Sequence, residues 1–256
     1  MSRSRLWADI NQSFPVRLIM TPAESLSYWD PKSSNESCFQ EDGKLKYDVI
    51  PIKSDGQISG FITNDKPHEI KQLERKWLIT HDAPISELVS LFLTTLIPAF
   101  FVISRQEIVG LVTPADLNKL PTRVYIYSLI GDVELQLSNL IRKEQSITPE
   151  EILGLISKER SEEIRNVMKK LGTQNVDIDI FQLLYLSDML SIIQKTKVLR
   201  EYLGFSSRKE AEHGLSGINE LRSQTMHLVK PLLSKMPQDL HTLDMRLARI
   251  RNVLDI

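Results

Sequence analysis

Two stretches of this chain repeat one another at a spacing of 50 residues. Val49-Ile-Pro-Ile-Lys-Ser-Asp-Gly-Gln-Ile-Ser-Gly-Phe-Ile-Thr63 reads as strand, tight turn, strand, with the turn at Ser54-Asp55-Gly56. Phe100-Phe-Val-Ile-Ser-Arg-Gln-Glu-Ile-Val-Gly-Leu-Val-Thr113 repeats that pattern, so Gly60-Phe-Ile-Thr63 aligns with Gly110-Leu-Val-Thr113. Upstream, Leu18-Ile-Met-Thr21 matches Trp77-Leu-Ile-Thr80. The first copy spans 42 residues from Thr21 to Thr63, and the second 33 from Thr80 to Thr113. The nine extra residues fall in the polar stretch Asp30 to Lys46. Two copies of one unit are expected to pack together, because neither buries its apolar face alone.

Beyond Pro121 the period becomes helical. Val124 to Arg142 carries apolar residues at 126, 129, 130, 133, 137, 140 and 141. Thr148-Pro-Glu-Glu151 is a capping box with proline at the first helical position, opening a helix that runs to Leu171 and stops at Gly172. Asp179 caps a helix expected over Ile180 to Leu203, and Ser207-Arg-Lys-Glu210 is a second box. The last helix is expected over Gln238 to Leu254. The fold class is α+β, with a repeat domain over residues 1–120 and an all-α domain of about five helices over 121–256. The expected hinge is Lys119-Leu-Pro-Thr122.

Composition excludes some functions. The 256 residues are 41% hydrophobic and 25% charged, with a net charge of −1, so any nucleic-acid contact must come from a local patch. Cys38 is the only cysteine, which excludes an internal disulfide and a cysteine-based metal cluster. The histidines His68, His81, His213, His227 and His241 lack metal-ligand spacing, so no metal is expected. The N-terminus has no apolar core of signal-peptide length. Leu88 to Ile103 is the most apolar run, but it holds Ser90, Thr94, Thr95 and Pro98 and falls short of the roughly 18 residues a span needs. It reads as a helix followed by a buried strand, and the expected location is cytoplasmic.

Val16-Arg-Leu-Ile-Met-Thr-Pro22, the paired Gly-x-x-Thr endings and Gly110-Leu-Val-Thr-Pro-Ala-Asp116 together resemble a tandem cystathionine-β-synthase-type (CBS) pair, over about residues 12–120. The resemblance implies two β-α-β-β-α units. It implies that Thr113 and Asp116 hold the ribose of a regulatory adenine nucleotide (AMP, ADP or ATP), with Thr21 and Thr80 lining the base pocket. The helix N-terminus nearby favours phosphate. The first repeat has Lys66 where the aspartate belongs, so at most one ribose site is expected. A plain alternative is that Thr113 and Asp116 only cap a helix.

In the C-terminal half, Leu221-Arg222-Ser-Gln-Thr-Met-His227, with Ile218-Asn-Glu before it, Pro231 after it and Leu186-Ser-Asp188 upstream, resembles the HEPN superfamily of helical domains, over about Arg123 to Ile256. The resemblance implies metal-independent RNA cleavage in a homodimer, where two motifs share one cleft. His227 would act as general base on a ribose 2′-hydroxyl, and Arg222 would stabilise the pentavalent phosphate. Ser223 stands where the family favours Asn, Asp or His. Asp188 lies on an apolar helical face and is a candidate to orient Arg222; a solvent-facing Asp188 is the alternative. Arg222 and His227 are about 140° apart around a helix and could equally be a surface pair. Lys230, Lys235, Arg246, Arg249 and Arg251 could form a phosphate-facing patch or a solvated face. The expected whole is a nucleotide-regulated homodimeric ribonuclease that needs no catalytic cofactor and no membrane. The rival is a non-catalytic regulatory or scaffold protein whose helical half binds a partner or a nucleotide.

Overall fold

The computed structural model describes residues 3–32, 38–40, 42–54, 56–95, 97–173 and 179–254. The strands are β1 (Thr21–Pro22), β2 (Val49–Ser54), β3 (Gln57–Thr63), β4 (Lys66–Gln72), β5 (Leu78–Thr80), β6 (Phe100–Ser104) and β7 (Glu107–Val112). The helices are α1 (Arg3–Ser13), α2 (Ile85–Thr95), α3 (Leu120–Lys143), α4 (Pro149–Leu155), α5 (Lys158–Gly172), α6 (Leu186–Lys195), α7 (Lys197–Tyr202), α8 (Arg208–Leu215), α9 (Ile218–Met226) and α10 (Gln238–Leu254). The fold is α+β, with the strands in the N-terminal half and mostly helix after it. One compact unit comprises Ala8–Tyr125 with Val229–Asp244; the other comprises Met1–Trp7, Ile126–Leu228 and Met245–Ile256. Of the expected hinge, Leu120 to Thr122 lie in the first turn of α3, where Pro121 has a suitable fixed φ, and Lys119 caps the 3-10 turn before it.

The repeat survives in the hydrogen-bond register. Strand β2 pairs antiparallel with β3 as Ile50↔Ile62, and β6 with β7 as Phe100↔Val112, each residue displaced by 50. Both hairpins carry a register shift at matching positions, Ile52/Lys53 and Val102/Ile103. Asp55, in the first turn, lies outside the described residues; its neighbour Gly56 has φ +83.

The glycines of the two Gly-x-x-Thr motifs mark a close approach of another strand. A Cβ on Gly60 would stand 2.7 Å from the Lys71 carbonyl oxygen of β4, and one on Gly110 would stand 2.6 Å from the Thr21 carbonyl oxygen of β1. Each hairpin thus receives a third strand on its second arm. The resulting sheets run β2-β3-β4 and β1-β7-β6-β5. Their shared core is aromatic, with the Phe61 ring 5.4 Å from Phe101 and 4.6 Å from Trp77.

The expectation of two equal β-α-β-β-α units is corrected for the first copy. Among the described residues it contains no α-helix between β1 and β2. In the second copy α2 covers the sheet through Ile85, Leu88, Val89 and Phe92. In the first copy the insertion does so: buried Cys38 and Leu45 pack on Ile50, Ile52 and Ile62. Residues 64–65 also close a hairpin into β4, with Thr63 paired to Lys66. Asn-Asp is a turn-forming pair, so the chain reverses where the second copy turns toward α3.

The helical stripes are buried through Leu240, Leu243, Leu247, Ile250 and Leu254 of α10, and Ile126, Leu129, Ile130, Val133, Leu137 and Ile141 of α3, with Leu140 half-buried. Two expected long helices are broken. Ser157 accepts from the Arg160 N–H at 3.2 Å and restarts the chain as α5. Asp188 accepts from the Tyr185 N–H at 2.9 Å and starts α6 at Leu186, six residues into the expected run. Side-chain caps compete with helical hydrogen bonding wherever they occur. No helix among the described residues is long and apolar enough to cross a membrane.

Gly60→Ala and Gly110→Ala should each cost about 1–3 kcal/mol, because backbone must move to admit the methyl. Gly131→Ala, in α3 with open space at its Cβ position, should gain about 0.5–1 kcal/mol. Urea midpoints of the full-length variants check both. Burial raises the carboxyl pKa of Asp132, against a weaker opposing bond from Gln136. A raised folded pKa means stability is lost as pH rises above the unfolded value. Asp132→Asn should therefore raise the melting temperature at pH 7, with the gain vanishing as the pH falls to the ordinary carboxylate range.

Candidate functional site

The corner between β7 and α3 is held by one carboxylate. Thr113 donates its backbone N–H (2.7 Å) and its hydroxyl (2.9 Å) to Asp116 Oδ2. Lys119 Nζ meets Asp116 Oδ1 at 2.7 Å and the Ile19 carbonyl oxygen at 2.6 Å, reaching the chain just before β1. Asp116 is 8% exposed, so this pairing offsets its burial. Thr113 and Asp116 thus cap this turn. A carboxylate has about four acceptor sites, of which these bonds use three. One remains, together with the acceptor lone pairs of the Thr113 hydroxyl.

Both residues line a cleft of about 650 Å³. Thr21 lines it too, so three of the four residues expected to hold a nucleotide come together. Thr80 does not line it and is exposed at the end of β5. One side of the lining is apolar, with Leu26, Val49, Pro51, Pro98 and Leu111. Ser25, Ser27, Asp48 and Lys46 supply polar groups. Leu233 and Met236, from the Val229–Asp244 segment, complete the lining and could not be foreseen from local sequence. In the first repeat the matching threonine is taken up internally. Lys71 Nζ donates to Thr63 Oγ1 at 2.7 Å, and Thr63 donates to Asp65.

Arg222 and His227 sit on α9 and at its C-terminal end. Gly217 precedes the helix at φ +81, and Leu221 and Thr225 are its buried anchors. Arg222 Nε contacts Glu134 Oε1 of α3 at 3.0 Å, with both side chains partly exposed. The backbone N–H of His227 closes the helix on the Ser223 carbonyl at 3.3 Å; the residues His227 and Ser223 are exposed. Asp188 does not meet Arg222. Its Oδ2 accepts Arg160 Nε at 2.9 Å, with 13% of the Arg160 side chain and 8% of the Asp188 side chain exposed. The Arg160 guanidinium lies 3.6 Å from the Tyr185 ring centroid. Asp188 is thus both a helix cap and the partner of a half-buried cation. Arg222 finds its carboxylate on a helix 88 positions earlier, a pairing no local spacing predicts.

Three residues of the suggested basic patch have partners within the chain. Arg246 donates to Gln224 at 2.8 Å, Arg249 donates to the Ser216 carbonyl at 2.7 Å, and Arg251 lies 6.0 Å from the Trp7 ring centroid. No cluster of three metal-ligating side chains occurs among the described residues.

Neither a protein-family model nor a curated protein sequence matches this chain. Several solved CBS domains are similar to it in part. The CBS domain of the bacterial CNNM/CorC family Mg2+ transporter in complex with ATP covers 45% of this chain and 92% of its own, at 15% identity and a TM-score of 0.35. CBSX2 in complex with AMP covers 43% of this chain and 98% of its own, at 14% identity and a TM-score of 0.35. A hemolysin-like protein containing a CBS domain from Oenococcus oeni PSU covers 46% and 96%, at 14% identity and a TM-score of 0.32. At such low values, what the cleft can hold is decided by its own side chains.

Asp188→Ala should destabilise the full-length protein by about 1–3 kcal/mol, because it removes a buried cap of α6 and one of the two carboxylates on Arg160, which keeps Glu163 at 2.6 Å. Arg222→Ala, which breaks a partly exposed pair, should cost about 0–1 kcal/mol. Chemical denaturation separates the two. Equal losses would make Arg222 a structural residue.

Proposed function

We propose that the protein is a nucleotide-responsive regulatory protein whose ligand site is the Thr113–Asp116 cleft. The observation that carries this reading is the convergence of acceptors at that corner. The Thr113 hydroxyl and the Asp116 carboxylate stand side by side, 2.9 Å apart, and both can accept. A ribose offers two adjacent hydroxyl donors, which suits such a pair. The apolar side of the lining suits a flat base, and Lys46 is the cation available for phosphate. Occupancy of one nucleotide per chain follows, because Thr63 is bonded to Asp65 and Lys71, and Lys66 stands in place of a carboxylate.

A second reading, metal-independent RNA cleavage by the helical half, is favoured by the exposure of His227 and the partial exposure of Arg222. Glu134 engages Nε, and the terminal nitrogens of Arg222 are suited to phosphate oxygens. His227 would remove the 2′-hydroxyl proton, and the 2′-oxygen would attack phosphorus. The leaving 5′-oxygen would take a proton from a second histidine, giving a 2′,3′-cyclic phosphate and a 5′-hydroxyl. One chain supplies one such histidine, so this chemistry calls for a homodimer, with the nucleotide cleft as its regulator. The Asp188 contribution to such a site would be to the shape of α6, not to the orientation of Arg222.

Calorimetry with AMP, ADP and ATP tests the first reading. One site per chain is expected, lost or weakened at least tenfold in Asp116→Ala. Absence of binding, or equal binding by that variant, would remove the ribose assignment. Incubation with total RNA, without divalent metal and with or without nucleotide, tests the second. Products ending in cyclic phosphate that disappear in Arg222→Ala and His227→Ala are expected. Intact RNA under every condition leaves a regulatory protein without nuclease activity.

A further inference from the structure

The segment joining α9 to α10 belongs to the same compact unit as the sheets. It begins two residues after His227 and is tied down at two points. Buried Arg123 donates to the Lys230 carbonyl. Asn118 then grips Leu233 on both sides: its Nδ2 donates to the Leu233 carbonyl at 3.1 Å, and its Oδ1 accepts the Leu233 N–H at 2.8 Å. Farther on, Asp239 accepts the N–H groups of Ser234 and Lys235 at 2.7 and 2.6 Å, fixing the entry to α10. Leu232 and Leu233 are buried, whereas Met236 is 40% exposed while lining the cleft, and Val229 is 99% exposed.

Asn118 has a double position. It closes the 3-10 turn that Thr113 and Asp116 begin, it lines the cleft, and it holds the segment. We propose that residues 229–237 form a strap over the nucleotide cleft, which a bound nucleotide packs against through Met236 and Leu233, so that ligand occupancy tightens the segment directly following His227. This rests on the cleft being a nucleotide site. A flexible, half-exposed methionine can close over a flat base with little rearrangement. The ligand and the seated strap then favour each other reciprocally, to the extent that affinity differs between the seated and loosened segment. Val229, exposed beside the last tether, is the point at which the effect leaves the cleft along the chain.

Full-length wild type, Met236→Ala, Asn118→Ala and Asp116→Ala are to be titrated with AMP and with ATP by calorimetry, and followed by hydrogen–deuterium exchange. In wild type, the better-binding nucleotide should slow exchange over residues 226–237. Met236→Ala should keep the wild-type melting temperature and bind about tenfold more weakly, as expected for loss of one packed apolar side chain. Asn118→Ala should speed exchange over 230–236 without ligand, and ligand should restore less protection. Wild-type affinity in Met236→Ala, together with unchanged exchange over 226–237, would overturn the strap while leaving the nucleotide site standing. No binding of either nucleotide to wild type would overturn both. Undiminished binding and undiminished strap protection in Asp116→Ala would show that the strap is engaged from another site and also overturn the proposal.

Discussion

A carboxylate at the end of β7 organises much of this molecule. Asp116 collects two hydrogen bonds from Thr113 and an ion pair from Lys119, and Lys119 continues to the carbonyl of Ile19. One side chain therefore turns the chain from sheet toward α3 and ties the approach to β1 to that corner. It can do so only because its charge is met on both oxygens; an unpaired carboxylate at this depth would cost several kcal/mol, on the order expected for a buried ion. Asn118, in the same turn, uses its amide for the segment that returns from the helical half. The cleft lies among these anchors and is preorganised by bonds whose first effect is structural.

How much of this was legible in the sequence follows from the range of each interaction. The 50-residue repeat announces itself in local apolar alternation, and the paired registers and matching bulges follow from it. The stripe of α10 is equally local. Strand β4 was missed because Lys66–Gln72 is polar on the page and acquires strand character only by pairing with β3. Asn64-Asp65 was the available signal. The insertion was visible as surplus length, but its part in replacing a helix over the first sheet depends on Cys38 and Leu45 meeting Ile50, Ile52 and Ile62.

Charged pairs were the least legible. Asp188 sits on an apolar face, and the sequence left open whether it faces solvent or meets Arg222; Arg160, 28 positions earlier, carried no local signal. The fold gives Asp188 to Arg160, which is half-buried beside the Tyr185 ring and also pairs with Glu163. Arg222 was left to Glu134 at a wetter position. Of the nucleotide candidates, Thr113 and Asp116 came from the resemblance to a CBS pair, and the structure brings their oxygens to within 2.9 Å of each other. Thr21 joined them through its strand pairing with β7, and Thr80 did not. Leu233 and Met236 were beyond reach, since they arrive from more than a hundred residues away.

The third strands that press on Gly60 and Gly110 also decide what the sheets can do next. Their outer borders are β1 and β5 in one sheet, and β2 and β4 in the other. Strand β1 is two residues long and ends in a proline; β5 is three. Strand β2 contains Pro51, and Trp29 is already bonded along it, donating to the Pro51 carbonyl at 3.0 Å and accepting from Lys53 at 3.3 Å. Strand β4 carries Pro67 amid Lys66, Glu69 and Lys71. Each border is short, interrupted or charged, the features that discourage strand addition. Another copy of this chain gains little by extending either sheet, so self-association has to be built from helices or loops.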